Sequence, residues 1–170
     1  MTCRYVRGFD AWYADHHPRV LGVVYVTCAD SDVAADATDE AFTRALARWD
    51  RVGLLASPEG WTCRVAINVM RRRLRRRRLE SLLLRKRYEP DAVEAPLANP
   101  EVWRAVRQLP ERQRLAVLLR YVADLTEADV ATAMGITRGA VSASLSTARG
   151  RLADVLTGLD DPADSEVPNG

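Results

Sequence analysis

Arginine is the residue type whose density first indicates chemistry in this 170-residue sequence. Seven of the eight positions from Arg71 to Arg78 are arginine, and like charges this close repel one another along a helix. Phosphate groups relieve such repulsion, because guanidinium groups pair with them and release condensed counterions. The run therefore predicts contact with a nucleic-acid backbone. A solvated or disordered basic patch is the alternative that the residues leave open.

A second informative pattern lies between Asp124 and Arg151. Thr126 is a good N-cap, Gly135 suits the left-handed residue that ends a helix, and Thr137 can cap a second helix. The apolar stripe of that second helix is formed by Val141, Leu145, Ala148 and Leu152. Small Ala131, turn-forming Gly135 and Val141 have the spacing of a DNA-binding helix-turn-helix, because two helices that cross steeply must touch at small residues. An ordinary helical hairpin is the alternative.

The outward side of the second helix carries small residues flanked by arginine. Small side chains allow a helix to lie deep in the major groove, and arginine can reach phosphates or guanine edges. The DNA-contacting residues that we expect in this unit are Thr126, Arg138, Gly139, Ser142, Ala143, Ser146 and Arg149.

Residues able to support covalent or metal chemistry are poorly placed for it. The three cysteines are odd in number and lack paired metal-ligand spacing, which favours free thiols in a reducing cytoplasm. His16 and His17 are adjacent, so they face different ways on a helix. Ser31 and Ser57 stand where helix caps are expected. We therefore expect no catalytic residue, no metal site and no cofactor.

Helical periodicity recurs through the chain and predicts an all-α fold. Apolar residues at steps of three and four predict helices over Phe9–Cys28, despite Pro18, and over Asp30–Trp49. Ser31 is the expected cap of the latter. Asp50–Gly60 predicts a loop, and the arginine run ends the helix that follows.

A proline-rich stretch divides the chain into two helical units. EPDAVEAPLANP has three prolines and no sustained period, which predicts a flexible linker. We expect small domains over residues 1–83 and 101–156, a linker over 84–100 and a disordered acidic tail over 157–170. The longest apolar run is too short to cross a bilayer, so a cytoplasmic protein without membrane contact is expected.

The order of these elements resembles the extracytoplasmic-function sigma factors, small bacterial initiation subunits of RNA polymerase. Leu109–Leu152 is similar to the family's promoter-reading domain. DATDEAFTRALARW resembles its polymerase-docking helix, and SPEGWTCRVAINVMRRRLRRRR resembles the helix that faces the minus-ten promoter element. Arg72 departs from the family, which usually has an acidic residue there, and Ala37 and Thr38 replace the usual Gln and Glu.

The resemblance implies partners and site residues. The partners are promoter DNA, an anti-sigma factor and core RNA polymerase, through the clamp of its largest subunit and the flap of its second largest. The minus-ten set is Arg51, Leu55, Ser57, Trp61, Arg64, Asn68, Arg71, Arg72, Arg75 and Arg76. The polymerase-binding set is Asp36, Asp39, Glu40 and Thr43. The helix-turn-helix is expected to read the minus-thirty-five element.

Two other functions stay open at this point. A stand-alone helix-turn-helix regulator needs a ligand or dimerisation domain, and binding to core polymerase separates it from a sigma factor. A DNA recombinase with a C-terminal helix-turn-helix needs a nucleophilic serine in an α/β domain, and a cleavage assay tests it.

Overall fold

A computed structural model describes residues 3–84 and 100–157, with side chains over 8–84 and 100–154. Every element in these ranges is an α-helix, so the predicted all-α class with two helical units is confirmed. The N-terminal half contains α1 (Cys3–Cys28), α2 (Ser31–Leu46), α3 (Trp49–Val52) and α4 (Pro58–Leu83). The C-terminal half contains α5 (Pro100–Gln108), α6 (Glu111–Tyr121), α7 (Glu127–Met134) and α8 (Arg138–Thr157). The predicted linker and acidic tail lie almost wholly outside the described residues.

Helix α1 confirms the helix predicted over Phe9–Cys28, a segment rich in valine. It continues through Pro18, and Val20, Val23 and Val24 are at most 2% exposed. Burying each of these side chains contributes about 1.5–3 kcal/mol, which offsets the weak helix propensity of valine and the lost proline amide. Burial therefore outweighs the preference of these β-branched residues for strands.

The start of α2 differs from the prediction that Ser31 is its cap. Ala29 adopts a left-handed conformation (φ 52°), and Asp30 is the N-cap, with Oδ1 accepting from the Val33 amide at 2.9 Å. Arg77 of α4 donates to the other carboxylate oxygen of Asp30 at 2.5 Å. Asp30 therefore caps α2 and also ties it to α4.

The segment predicted as a loop over Asp50–Gly60 is partly helical. α2 ends at Leu46, and the short α3 is held by Trp49, whose ring packs 5.2 Å from Phe9 and 4.7 Å from Trp12. Aromatic pairs at these separations stabilise beyond the area that they bury. The irregular part of the segment is therefore shortened to residues 53–57.

The two halves share one hydrophobic core, which the sequence did not indicate. A Cβ placed on Gly60 of α4 would lie 3.3 Å from the Asp129 carbonyl oxygen of α7, so the two helices approach closely there. A Cβ on Gly22 of α1 would lie 3.7 Å from Val122 Cγ1 at the end of α6. Within residues 3–84 and 100–157, no helix is long and apolar enough to cross a membrane.

Candidate nucleic-acid interface

The turn between α7 and α8 has the geometry that its sequence predicts. Thr126 Oγ1 accepts from the Asp129 amide at 3.2 Å and donates to the Asp129 carboxylate at 2.6 Å. Gly135 ends α7 in the left-handed region (φ 66°), where a residue with a Cβ is strained by about 1–2 kcal/mol. Thr137 accepts from the Ala140 amide at 3.3 Å and so caps α8. The helix-turn-helix prediction is confirmed at the level of local geometry.

The two sides of α8 separate as predicted. Val141, Leu145 and Ala148 are fully buried. The outward residues named from the sequence are all exposed, namely Arg138, Gly139, Ser142, Ala143, Ser146 and Arg149, and so is Thr126. The structure therefore brings the whole predicted set to the surface of one helix-turn-helix.

The outward face of α8 consists mostly of small residues, and no neighbouring atom covers it at Gly139. A Cβ added at Gly139 meets no atom within 4 Å. Arg138 is 75% exposed, and its Nε lies 3.9 Å from the Glu127 carboxylate, too far for a hydrogen bond. Its guanidinium group can therefore turn toward a ligand without breaking a strong internal contact.

On α4, four residues of the predicted minus-ten set form a single exposed line. Arg64, Asn68, Arg71 and Arg75 follow one another at steps of four, three and four, which keeps them on one helix face. We call this line the α4 stripe. Trp61 lies one step before it and is half-buried against the core.

Four other arginines of the run face toward α2 and are already paired, namely Arg72, Arg73, Arg76 and Arg77. Arg72 contacts Glu40 at 3.2 Å, and Arg76 contacts Glu80 at 2.8 Å. Arg73 contacts Asp36 at 2.7 Å. The sequence predicts that a phosphate partner relieves the repulsion along this run. Carboxylates of the same chain relieve much of it instead. The structure separates Arg72 and Arg76 from the α4 stripe.

Glu40 is the centre of this ion-pair network. Burial favours a higher pKa for its carboxyl group, but the guanidinium groups of Arg44, Arg73 and Arg72 outweigh burial and hold the pKa below its ordinary value. Glu40 therefore stays ionised and holds α2 against α4.

Residues of the loop before α4 occupy different environments. Arg51 is exposed, and Leu55 is 44% exposed beside Leu54, which is 85% exposed. Ser57 is 8% exposed and accepts from the Gly60 amide at 3.0 Å as the cap of α4. The two leucines are open to a ligand, whereas Ser57 shapes the loop.

The predicted polymerase-binding residues lie along α2. Asp39 is exposed and contacts His17 Nε2 at 3.1 Å, while Asp36 and Glu40 contact arginines of α4. Asp39 and Thr43 border a cleft of about 340 Å³ whose apolar lining is Phe9, Tyr13, Phe42 and Leu46. The surface is thus aromatic and apolar as well as acidic, which the charge pattern alone did not show.

Two arginines were missed as candidates. Arg78 continues the α4 stripe by a step of three, and helical spacing alone could have identified it. Arg114 of α6 shares a cleft with Arg71, Arg75 and Arg78. No sequence signal links Arg114 to them, because the packing of the two halves creates that proximity.

Comparison with known proteins matches both halves. The family model for Sigma-70 region 2 matches residues 12–80, and that for Sigma-70 region 4 matches residues 100–152. The ECF RNA polymerase sigma factor SigM of Mycobacterium tuberculosis is 29% identical over 153 residues, which cover 87% of this chain and 76% of SigM. SigM proteins of two strains of that organism match equally.

Two solved structures share the fold. The sigma factor RpoE of Bartonella quintana, solved in complex with the anti-sigma factor NepR, matches with a TM-score of 0.75 at 20% identity. That match covers 91% of this chain and 99% of RpoE. CnrH, solved with the cytosolic domain of CnrY, has a TM-score of 0.60 at 19% identity, over 91% of this chain and 90% of CnrH.

Proposed function

The chain belongs to the sigma-70 family as an extracytoplasmic-function RNA polymerase sigma factor, and we propose which of its surfaces carries each task of initiation. It binds core RNA polymerase and promoter DNA through its regions 2 and 4. The observation that carries the assignment of surfaces is the pair of exposed polar faces on α4 and α8, in the halves that match regions 2 and 4.

Helix α8 reads the minus-thirty-five element in this proposal. Arg138 lies in the first turn, which is the part of a recognition helix that points into the major groove. It can pair bidentately with guanine, a contact worth about 1–3 kcal/mol of discrimination. Arg149, three turns further along, holds a phosphate and contributes no base preference.

Helix α4 and the loop before it hold the minus-ten element. The α4 stripe follows the backbone of the separated strand, and the exposed Leu55 beside Arg51 stacks against an unpaired base. Arg75→Ala should reduce the steepness of log affinity plotted against log salt concentration by about 0.7–0.9, the change expected for the loss of one phosphate contact. The matched control is Arg73→Ala, because Arg73 is bound to Asp36 and Glu40. An equal loss of slope in both variants contradicts the assignment of the stripe.

Core polymerase docks on α2 in this proposal. Asp36, Asp39 and Glu40 supply negative charge toward a basic clamp surface, and the aromatic cleft beside Thr43 supplies apolar contact. Charge steers the encounter, whereas buried aromatic contact supplies most of the affinity at an interface. Reversal of Asp39 to Arg, which leaves the α2–α4 ion pairs intact, should weaken binding to core.

The two DNA-binding faces cannot act together while the halves are packed. The minus-ten and minus-thirty-five elements are about 25 base pairs apart, or about 85 Å of duplex. In the packed chain, Arg64 Nη2 lies 3.8 Å from the Cβ position of Gly135 in the helix-turn-helix. The halves therefore separate when the factor engages a promoter. The 16 Cα steps from Leu84 to Pro100 can span at most about 55 Å, and the halves themselves cover the remainder.

Regulation and location follow from the family in the same proposal. RpoE and CnrH were each solved with a protein partner, RpoE with an anti-sigma factor. An anti-sigma factor that binds the packed form would prevent α4 and α8 from binding the minus-ten and minus-thirty-five promoter elements. The chain acts in the cytoplasm, where polymerase is, and it performs no covalent chemistry of its own. A stand-alone regulator or a recombinase is not favoured, because both regions match sigma factors.

Site-specific crosslinking within the holoenzyme tests the assignment of surfaces. A photoreactive residue at Ser142 should crosslink to the minus-thirty-five element, and one at Asn68 should crosslink to the minus-ten element. The control position is Asp15, an exposed residue of α1. Crosslinks from Ser142 and Asn68 to the same element, or no more crosslinking than from Asp15, contradict the proposal.

A further inference from the structure

A cleft of about 330 Å³ lies at the junction of the two halves, where the end of α1 meets α4 and α6. We call it the junction cleft. Its charged lining consists of Arg71, Arg75 and Arg78 from α4, with Glu111 and Arg114 from α6. Four guanidinium groups against one carboxylate leave a strong excess of positive charge in a small space.

This excess is specific to one face of α4. On the opposite face, every arginine of the groove between α2 and α4 contacts at least one carboxylate, as the pairs of Arg72, Arg73, Arg76 and Arg77 show. In the junction cleft, Glu111 accepts from Arg71 at 3.0 and 3.1 Å. Neither Arg75 nor Arg78 has an ion pair among the described residues. The described residues thus neutralise one arginine face, whereas on the other face they pair only Arg71, through Glu111.

Arg114 supplies an independent observation. Its Nη1 donates to the Arg107 carbonyl oxygen at 2.7 Å, which fixes the guanidinium group against α5. Its Nε is buried and has no acceptor among the described residues. A buried donor without an acceptor is unfavourable and is usually satisfied by a partner. Arg114, which carries this donor, lines the same cleft as the unpaired Arg75 and Arg78.

We propose that the junction cleft binds a small anion that carries several phosphate groups, and that this anion bridges α4 and α6. The planar guanidinium fork matches phosphate oxygens bidentately, and arginines from two helices suit a multivalent anion better than a single charge. A volume of about 330 Å³ lies in the range of small-molecule pockets. Because the lining comes from both halves, the bound anion stabilises the packed arrangement.

Titration calorimetry of the full chain with inorganic tripolyphosphate, at constant ionic strength, tests the site. We expect saturable binding of one anion per chain. Arg78→Gln should lower the affinity about tenfold, the loss expected for a charge-assisted hydrogen bond. Arg76→Gln removes the same charge from the opposite face of α4 and should leave the affinity unchanged. Equal losses in both variants, or no saturation, overturn the proposal.

Two further measurements separate a small-anion site from a stretch of the DNA-binding surface. Tripolyphosphate should slow amide hydrogen exchange in both α4 and α6 of the wild-type chain, and Arg78→Gln should need about tenfold more of it for the same slowing. Unchanged exchange overturns the bridging. If Arg78→Gln instead weakens binding of a random-sequence duplex while tripolyphosphate does not saturate, the cleft belongs to the DNA backbone surface and the proposal fails. None of these readouts involves polymerase, so they are independent of the proposed function.

Discussion

Reversing the charge of Glu111 should loosen the contact between the two halves. Arg71 Nε and Nη2 donate to Glu111 Oε1 at 3.1 and 3.0 Å, and the side chains are 45% and 54% exposed. An ion pair this exposed contributes about 0.2–1 kcal/mol, because water and salt screen it. Glu111→Arg removes that contribution and adds a repulsion of similar size. The total of about 0.4–2 kcal/mol lowers the ratio of packed to separated chains about 2- to 30-fold.

The chain offers a closely matched control for this variant. Glu101 is also an acidic residue in the first turn of a helix of the C-terminal half, and it is exposed. Glu101→Arg therefore makes the same change in net charge and the same unfavourable change at a helix N-terminus. Glu101 has no ion pair among the described residues, so only Glu111→Arg removes a contact between the halves.

Energy transfer between dyes on exposed positions of α3 and α8 measures the separation. Glu111→Arg should shift the population toward longer distances, and Glu101→Arg should not. The difference should shrink as salt rises, because a Debye length of about 10 Å at 0.1 M shortens to about 3 Å at 1 M. Equal distance distributions for the two variants, or a difference that salt leaves unchanged, would show that the Arg71–Glu111 ion pair does not hold the halves together.

Three further predictions concern single residues. Arg138→Ala should relax the preferred minus-thirty-five sequence selected from a random pool, whereas Arg149→Ala should weaken all sequences alike; an unchanged motif with Arg138→Ala contradicts base reading by this residue. Leu145→Ala should lower the free energy of unfolding by about 2–5 kcal/mol in urea denaturation, because Leu145 is fully buried, and the exposed Ser146→Ala should change it by under about 0.5 kcal/mol. Burial raises the pKa of the Cys63 thiol to about 12, so iodoacetamide should label it at pH 8 only after unfolding, and rapid labelling of the folded chain contradicts this.

Local sequence rules predicted the helix-turn-helix well. Thr126, Gly135 and Thr137 each act through neighbours within a few positions, so their roles depend little on the rest of the fold. The same rules placed the cap of α2 one residue too late. Ser31 and Asp30 are both good N-caps, and the left-handed Ala29 with the Arg77 ion pair accompanies the choice of Asp30.

Contacts between segments that lie far apart in the sequence could not be predicted from it. Helical spacing could divide the arginine run into two faces, but only packing shows that Asp36 and Glu40 of α2 neutralise one of them. The approach of α7 to α4 at Gly60 depends on the shared core, which no periodicity reveals. The exposure of the predicted DNA-contacting faces could thus be anticipated, whereas their proximity in the packed chain could not.

We propose that this chain, bound to core polymerase, places α4 and α8 on two separate promoter elements of the same DNA. Transcription in vitro by core polymerase, with and without the chain, on a library of genomic fragments tests it most directly. We expect start sites that depend on the chain and that share two sequence elements at a fixed separation. A lack of transcription above core polymerase alone, or start sites that share only one element, would contradict the claim.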